Sequence, residues 1–206
     1  MSHLLVLKSS TSGPMSVSNL LVKEIVSRHL DLDPMTVVTE HNLALEPLPH
    51  LTAMNVDGVR GRALTGIEQE ARELSDRLIA EILAADTIVI GAPMHNFSIP
   101  TTLRSWFDHV LRPGVTFGYS EAGPRGLVTD KKAILALATG GVYSEGPTKL
   151  LDHQEPYLRQ LLGLMGVTDV DVVRAERIGF GSEAREASIA DAQIAIAGLV
   201  GQRQAA

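Results

Sequence analysis

The amino-acid sequence predicts an α/β domain: a five-stranded parallel sheet with helices on both faces. Two observations carry this. Apolar runs recur at Leu4–Leu7, Met35–Thr39, Thr87–Gly91, Ala133–Ala138 and Val170–Ala175, with helix-like stretches between them; such alternation specifies parallel strands joined by crossover helices. The first run is short, apolar and bounded by polar loop residues, as a strand buried on both faces must be. The 206 residues fit one domain, enough to bury roughly 70% of the unfolded surface. No internal repeat or low-complexity linker divides the chain.

The first strand, Leu4 to Leu7, runs into a hydroxyl-crowded loop. From Ser18 or Asn19 onward, Leu20, Leu21, Ile25 and Val26 fall at helical spacing, and either polar residue suits an N-cap. The loop therefore feeds a helix N-terminus, where unpaired N–H groups and the helix dipole favour an anion. Ser9, Ser10, Thr11, Ser12, Ser16 and Ser18 add hydroxyls, and only Lys8 brings a cation close, a set suited to one monophosphate. The P-loop is excluded because the chain has no Gly-Lys pair, and the dinucleotide fingerprint because only Gly13 stands in the loop. Taken alone, a Ser-rich loop is equally ordinary turn chemistry.

Further along, a helix from about Ile67 to Ala84 carries Ile67, Ala71, Leu74, Leu78 and Ile82 on one face. Pro100 opens a helix bearing Leu103, Trp106, Phe107 and Val110, which ends before Pro113. Trp106 and Phe107 read as core. The last helix runs from about Ala184 to Val200. Residues 41–66 and 113–130 read as long irregular insertions, which in compact domains are usually functional or at interfaces.

Composition removes several function classes. A net charge of −6 and scattered Lys and Arg residues argue against nucleic acid. The absence of cysteine excludes disulfides, thiol nucleophiles and Cys-ligated metals, and fits a reducing cytoplasm. No signal peptide and no apolar run of about 20 residues is present, so a soluble cytoplasmic protein with no membrane partner is expected. The seven histidines include no H-E-x-x-H pair, so no metal site is expected. Gly179-Phe-Gly-Ser182 falls one residue short of a hydrolase elbow.

Five strands with crossovers of this length fit the flavodoxin-like order 2-1-3-4-5, whose ligands bind beyond the strands' carboxyl ends at the switch point between strands 1 and 3. Residues 9–18, 93–99 and 138–146 should therefore converge. The second loop, Gly91-Ala-Pro-Met-His-Asn-Phe-Ser-Ile-Pro100, and the third, Ala138-Thr-Gly-Gly-Val-Tyr-Ser-Glu-Gly146, offer backbone amides, small residues and an aromatic. That suits a flat, amide-bearing ring. Phe117 and Tyr119, on the second insertion, join the candidates.

The stretches Val6-Leu-Lys-Ser-Ser10 and Ser16-Val-Ser-Asn19, Ala92-Pro-Met-His-Asn-Phe97, Gly114-Val-Thr-Phe117 with Tyr119, Lys131-Lys-Ala-Ile134 and Gly140-Gly141 together resemble the FMN-dependent NADH:quinone oxidoreductase and azoreductase family. The resemblance implies that Ser10, Ser16, Val17 and Ser18 cradle the FMN phosphate. It implies that Met94, His95, Asn96 and Phe97 line the isoalloxazine, and that Ala138, Thr139, Gly140 and Gly141 close its pyrimidine side. It further implies a homodimer whose partner subunit covers the flavin. The family usually has Tyr where His95 stands, often a charged or polar residue at Thr139, and often a Phe near Leu161–Leu162 that reaches the neighbouring flavin. Substrate contacts are expected from Phe117, Tyr119, Tyr143 and Leu162. The activity implied is transfer of two electrons from NADH or NADPH to quinones, and to azo compounds by reductive cleavage, in a ping-pong sequence. The rival is a flavodoxin-type electron carrier that oxidises no pyridine nucleotide; such carriers are usually shorter and more acidic.

Overall fold

The structure, a computed structural model, describes residues 2–121 and 123–202. The strands are β1 (His3–Lys8), β2 (Val37–Asn42), β3 (Thr87–Pro93), β4 (Phe117–Ser120), β5 (Gly123–Gly126), β6 (Lys132–Ala138) and β7 (Asp169–Ala175). The helices are α1 (Val17–Leu32), α2 (Val56–Arg60), α3 (Gly66–Ala84), α4 (Thr101–Val110), α5 (Glu155–Met165) and α6 (Ser182–Gln202). β2-β1-β3-β6-β7 form the main sheet, every neighbouring pair parallel. Setting aside β4 and β5, which pair only with each other, this is the expected 2-1-3-4-5 order.

Strand alternation divides the core in two. Leu5, Leu7, Ile88, Ile90 and Leu135 face α3, α4 and α5, while Leu4, Val6, Val89 and Ile134 face α1 and α6. Burial of both faces explains the continuous apolar runs in β1, β3 and β6. Trp106 and Phe107 are fully buried and meet edge to face at 5.0 Å, so both belong to the core as expected. Each such side chain contributes roughly 1.5–3 kcal/mol by leaving water.

The helix starts differ from the expected ones in detail. Ser16, not Ser18 or Asn19, caps α1, its side chain accepting from the Asn19 N–H. Leu20 is exposed because it lies off the buried stripe of Val17, Leu21, Val22 and Ile25. Ile67, in the first turn of α3, is also exposed. That turn is held by a reciprocal capping box between Thr65 and Glu68. The Glu68 carboxylate accepts from the Thr65 and Leu64 N–H groups, which pulls its pKa below the ordinary 4.5.

Neither insertion is irregular throughout. Residues 41–66 contain α2, and Arg72 of α3 ties this segment down by donating to the carbonyls of Gly58 and Gly61. His109 Nε2 lies 2.8 Å from the Pro49 carbonyl and His50 Nδ1 lies 3.0 Å from Ser105 Oγ, fixing the segment to α4. Residues 113–130 contain the β4–β5 hairpin, which docks on the end of α5 through the Val128 N–H on the Met165 carbonyl. A Cβ on Gly126 would stand 2.3 Å from the Gly166 backbone, so this docking requires glycine. Among the described residues, no helix is long and apolar enough to cross a membrane.

Candidate functional site

The carboxyl ends of β1, β3 and β6 open onto one cleft, and each contributes a loop whose local chemistry sets its shape. After β1, Ser9 is consumed structurally: its N–H and hydroxyl both donate to the Gly91 carbonyl, at 3.1 and 2.8 Å. Close approach of β3 to α1 needs the missing side chain at Gly91, where a Cβ would lie 2.6 Å from Val22. Ser10 Oγ accepts from the Ser12 N–H, and a single helical turn over Gly13–Met15 brings the chain round to Ser16. Ser16 and Ser18 are buried with their hydroxyls 3.3 Å apart. The N–H groups of Val17 and Ser18, in the first turn of α1, have no intrahelical acceptor. Lys8, the cation nearest in sequence, pairs instead with Glu40 at 2.6 Å. Hydroxyls and the helix terminus are the groups of this loop suited to an anion, and the Arg185 guanidinium stands nearby, donating to the Met15 carbonyl at 3.3 Å.

The loop after β3 is a two-residue turn. His95 and Ser98 exchange backbone hydrogen bonds of 2.9 and 3.0 Å, and the central residues Asn96 and Phe97 have φ of 47° and 69°. This is the signature of a type I′ turn, which needs left-handed backbone at both central positions. Asn tolerates that conformation, but Phe does not without strain. The strain is held from beneath. The His153 N–H donates to the Phe97 carbonyl at 2.9 Å, and the buried Gln154 side chain donates to the Ala92 carbonyl at 3.1 Å. No backbone partner among the described residues takes the N–H groups of Asn96 and Phe97.

The loop after β6 runs alongside the one after β7. The N–H groups of Arg177, Ile178 and Gly179 donate to the carbonyls of Gly141, Thr139 and Gly140, and the Thr139 N–H donates to Ala175. The Thr139 hydroxyl turns inward to the Gly141 carbonyl at 2.8 Å. Among the described residues, the N–H groups of Gly140, Gly141 and Val142 have no acceptor. Tyr143 lies across Gly141 and meets Phe97 edge-on at 6.0 Å between ring centres.

These loops enclose a cleft of about 310 Å³ that runs from Ser10, Ser16, Val17 and Ser18 to Met94, His95, Ala138, Thr139 and Gly140. A lobe of about 240 Å³ shares Met94 and Gly140 and adds Asn96, Phe97, Gly141 and Tyr143. Every residue expected to hold the cofactor therefore lines the cleft or the lobe beside it. Ser12, Met15 and Pro93, within the expected loops but not named as cofactor contacts, also line the cleft, and Ile178 and Gly179 come from the loop after β7, which was not anticipated.

The expected substrate contacts divide. Tyr143 lines the lobe. Phe117, at the start of β4, is instead a core residue, while Tyr119, further along the hairpin, is 77% exposed and touches Phe117 edge-on. Leu162 is fully buried on α5. None of these three borders the cleft of its own chain. Among the described residues, no group of three potential metal ligands exists.

The cleft's two ends differ chemically. One offers buried hydroxyls and uncommitted helix N–H groups; the other offers five uncommitted N–H groups on two loops, with apolar contact from Met94, Phe97 and Tyr143. A monophosphate joined to a flat, polar-edged ring fits both ends.

The sequence pattern of a family described by its flavodoxin-like fold matches residues 2–199. An FMN-dependent NADH:quinone oxidoreductase of Hyphomonas neptunium is 55% identical, over 96% of this chain and 95% of that protein. One from Agrobacterium fabrum is 43% identical, over 94% and 95% respectively. The crystal structure of an azoreductase from Bacillus anthracis superposes with a TM-score of 0.89 at 30% identity, covering 98% of this chain and all of that one. An FMN-dependent NADH-azoreductase of the same species, solved with FMN, shares the fold with a TM-score of 0.85 at 23% identity, covering 97% of this chain and 100% of that chain.

Proposed function

This chain belongs to the flavodoxin-like family that includes the FMN-dependent NADH:quinone oxidoreductases, and from that premise we propose that it uses FMN to pass electrons from NADH to quinones and azo compounds. The observation that carries the reading is the single cleft, with a hydroxyl-lined helix N-terminus at one end and a ring of uncommitted backbone donors at the other. When bound, FMN supplies the two-electron redox chemistry.

The chain's own residues bind and orient. Val17 and Ser18 N–H groups, with the hydroxyls of Ser10, Ser16 and Ser18, hold the phosphate. Asn96 and Phe97 present N–H donors from a turn whose conformation is locked before any ligand arrives. Gly140, Gly141 and Val142 present donors from the opposite loop, whose fixed dipoles would favour negative charge on a ring bound there. Phe97 and Tyr143 bound the lobe that admits substrates. No side chain serves as an obligatory acid or base. With one lobe for two substrates, nicotinamide and acceptor bind in turn, giving a ping-pong sequence.

The protein acts as a homodimer. Met15 and Phe97 on the cleft, Phe180 beside it and Tyr119 on the hairpin are exposed apolar residues that a second copy would cover. It works in the cytoplasm, where a chain without cysteines has nothing to lose to reduction.

The test is the cofactor. Mass analysis of the heat-released ligand should give FMN, and the reconstituted protein should oxidise NADH with a naphthoquinone present. Release of FAD, or failure to bind any flavin on reconstitution, rejects the proposal.

A further inference from the structure

Glu176 follows β7 and borders neither the cleft nor its lobe. Its half-buried carboxylate nevertheless accepts three hydrogen bonds from the loop opposite: the Tyr143 N–H at 2.7 Å, the Ser144 N–H at 3.0 Å and the Ser144 hydroxyl at 2.6 Å. Bonds to an ionised acceptor are short and strong, and three on one carboxylate fix a segment in both position and orientation. The neighbouring Arg177 has a left-handed φ of 59°, and its N–H is bonded to the Gly141 carbonyl. The backbone is thus bent to send Glu176 towards residues 143 and 144 while the next residue grips 141.

Tyr143 is the residue so positioned. Its ring packs over Gly141, where a Cβ would come within 3.2 Å of it, and meets Phe97 across the lobe. Without the carboxylate, residues 142–146 would keep, among the described residues, the Thr148 hydroxyl on the Val142 and Glu145 carbonyls and the Lys149 N–H on the Gly146 carbonyl. None of these contacts engages the Tyr143 N–H.

We propose that Glu176 is a positioning residue that holds Tyr143 as a wall of the substrate lobe and so sets how bulky an acceptor the site admits. The proposal rests on the functional reading above. It separates the lobe from the cofactor: the Glu176 carboxylate holds residues 143 and 144, whereas the carbonyls of Gly140 and Gly141 are held by the Gly179 and Arg177 N–H groups, so acceptor selectivity should change without loss of FMN.

The geometry makes Glu176→Gln an informative control. The amide oxygen can still accept from both N–H groups, and the amide nitrogen can donate to the Ser144 hydroxyl, so Gln should rescue what Ala loses. Four proteins are compared with wild type: E176A, E176Q, Y143A and E176A/Y143A. Amide hydrogen exchange at Tyr143 and Ser144 is measured together with kcat and KM for a one-ring and a three-ring quinone, and FMN affinity.

In E176A, exchange at both amides should accelerate at least about 10-fold, and the three-ring to one-ring ratio of kcat/KM should shift on the order of 10-fold, chiefly in KM. FMN affinity should stay within about 2-fold, and E176Q should behave as wild type. E176A should add nothing in the Y143A background, because the effect passes through that ring. Unchanged exchange in E176A, equal loss across all quinones, parallel loss of FMN, or additivity with Y143A overturns the proposal. If E176A does not fold, E176D takes its place, one methylene too short to reach all three donors. Should wild type fail to reduce any quinone with NADH, the functional reading falls, and the exchange pattern still decides whether Glu176 holds this loop.

Discussion

Ser16 and Ser18 stand two residues apart on one helix end, yet the structure gives them different duties that substitution can separate. Ser16 caps α1 through a 3.1 Å bond from the Asn19 N–H, so Ser16→Ala should cost the fold about 1 kcal/mol. For a domain of this size that lowers Tm by roughly 2–4 °C. Ser18 caps nothing; among the described residues its buried hydroxyl hydrogen-bonds only the Ser16 hydroxyl. Ser18→Ala should leave the flavin-free protein's Tm within about 1 °C of wild type. Against FMN the two should resemble each other, because each loses a hydroxyl bond to a charged phosphate. Such bonds are worth roughly 1.5–3 kcal/mol, or about 10- to 150-fold in Kd. The double variant should fall short of the product of the two effects, since the hydroxyls are neighbours. FMN titration by fluorescence quenching and thermal unfolding of the flavin-free protein measure both quantities. Wild-type titration by S18A would place the phosphate elsewhere, and equal destabilisation by both variants would reduce the affinity loss to a folding effect.

Other outcomes follow from the same geometry. At the I′ turn, Asn96→Gly should keep thermal stability, whereas Asn96→Val forces a β-branched residue to a φ of 47° and should cost about 1–3 kcal/mol, read as a Tm loss in the flavin-free protein. Glu68 has its pKa lowered by the Thr65 and Leu64 N–H groups, so its contribution is fully present above pH 4.5 and is lost as pH falls through its lower folded value. E68Q should therefore be less stable than wild type at pH 7, with the gap closing in acid; a gap that widens on acidification refutes the capping account. Sedimentation at assay concentration should find a dimer, and a fully active monomer would remove the partner subunit from the site.

The sheet was legible because β1, β3 and β6 are buried on both faces and have no choice but to be apolar. The β4–β5 hairpin was not: Gly123-Pro-Arg-Gly126 has the composition of a turn and becomes a strand only by pairing with residues 117–120 and resting on Gly166. The short helix α2 likewise depends on Arg72, a contact across 14 residues that no local pattern reveals. At the site, the rule that ligands lie beyond the carboxyl ends of the strands picked out three loops that converge on the cleft and its lobe. It applied equally to the loop after β7, which supplies Ile178 and Gly179, but Gly179-Phe-Gly-Ser182 was weighed there only as a hydrolase motif. Phe117 was misjudged because an aromatic in an apparent insertion looked available, when at the start of β4 it packs into the core. The left-handed Phe97 had no sequence signal, since the His153 and Gln154 contacts that hold its loop come from a distant segment.

In this cleft NADH should reduce bound FMN before any acceptor arrives. Anaerobic mixing of the FMN-loaded protein with NADH alone, followed by removal of NAD and addition of a quinone, tests it in one experiment. The account predicts that the visible flavin absorbance is lost with NADH alone and returns with quinone no more slowly than turnover. Colour that persists in NADH would identify an electron carrier, and colour that returns only while NAD is present would mean that both substrates bind together, contradicting the single lobe.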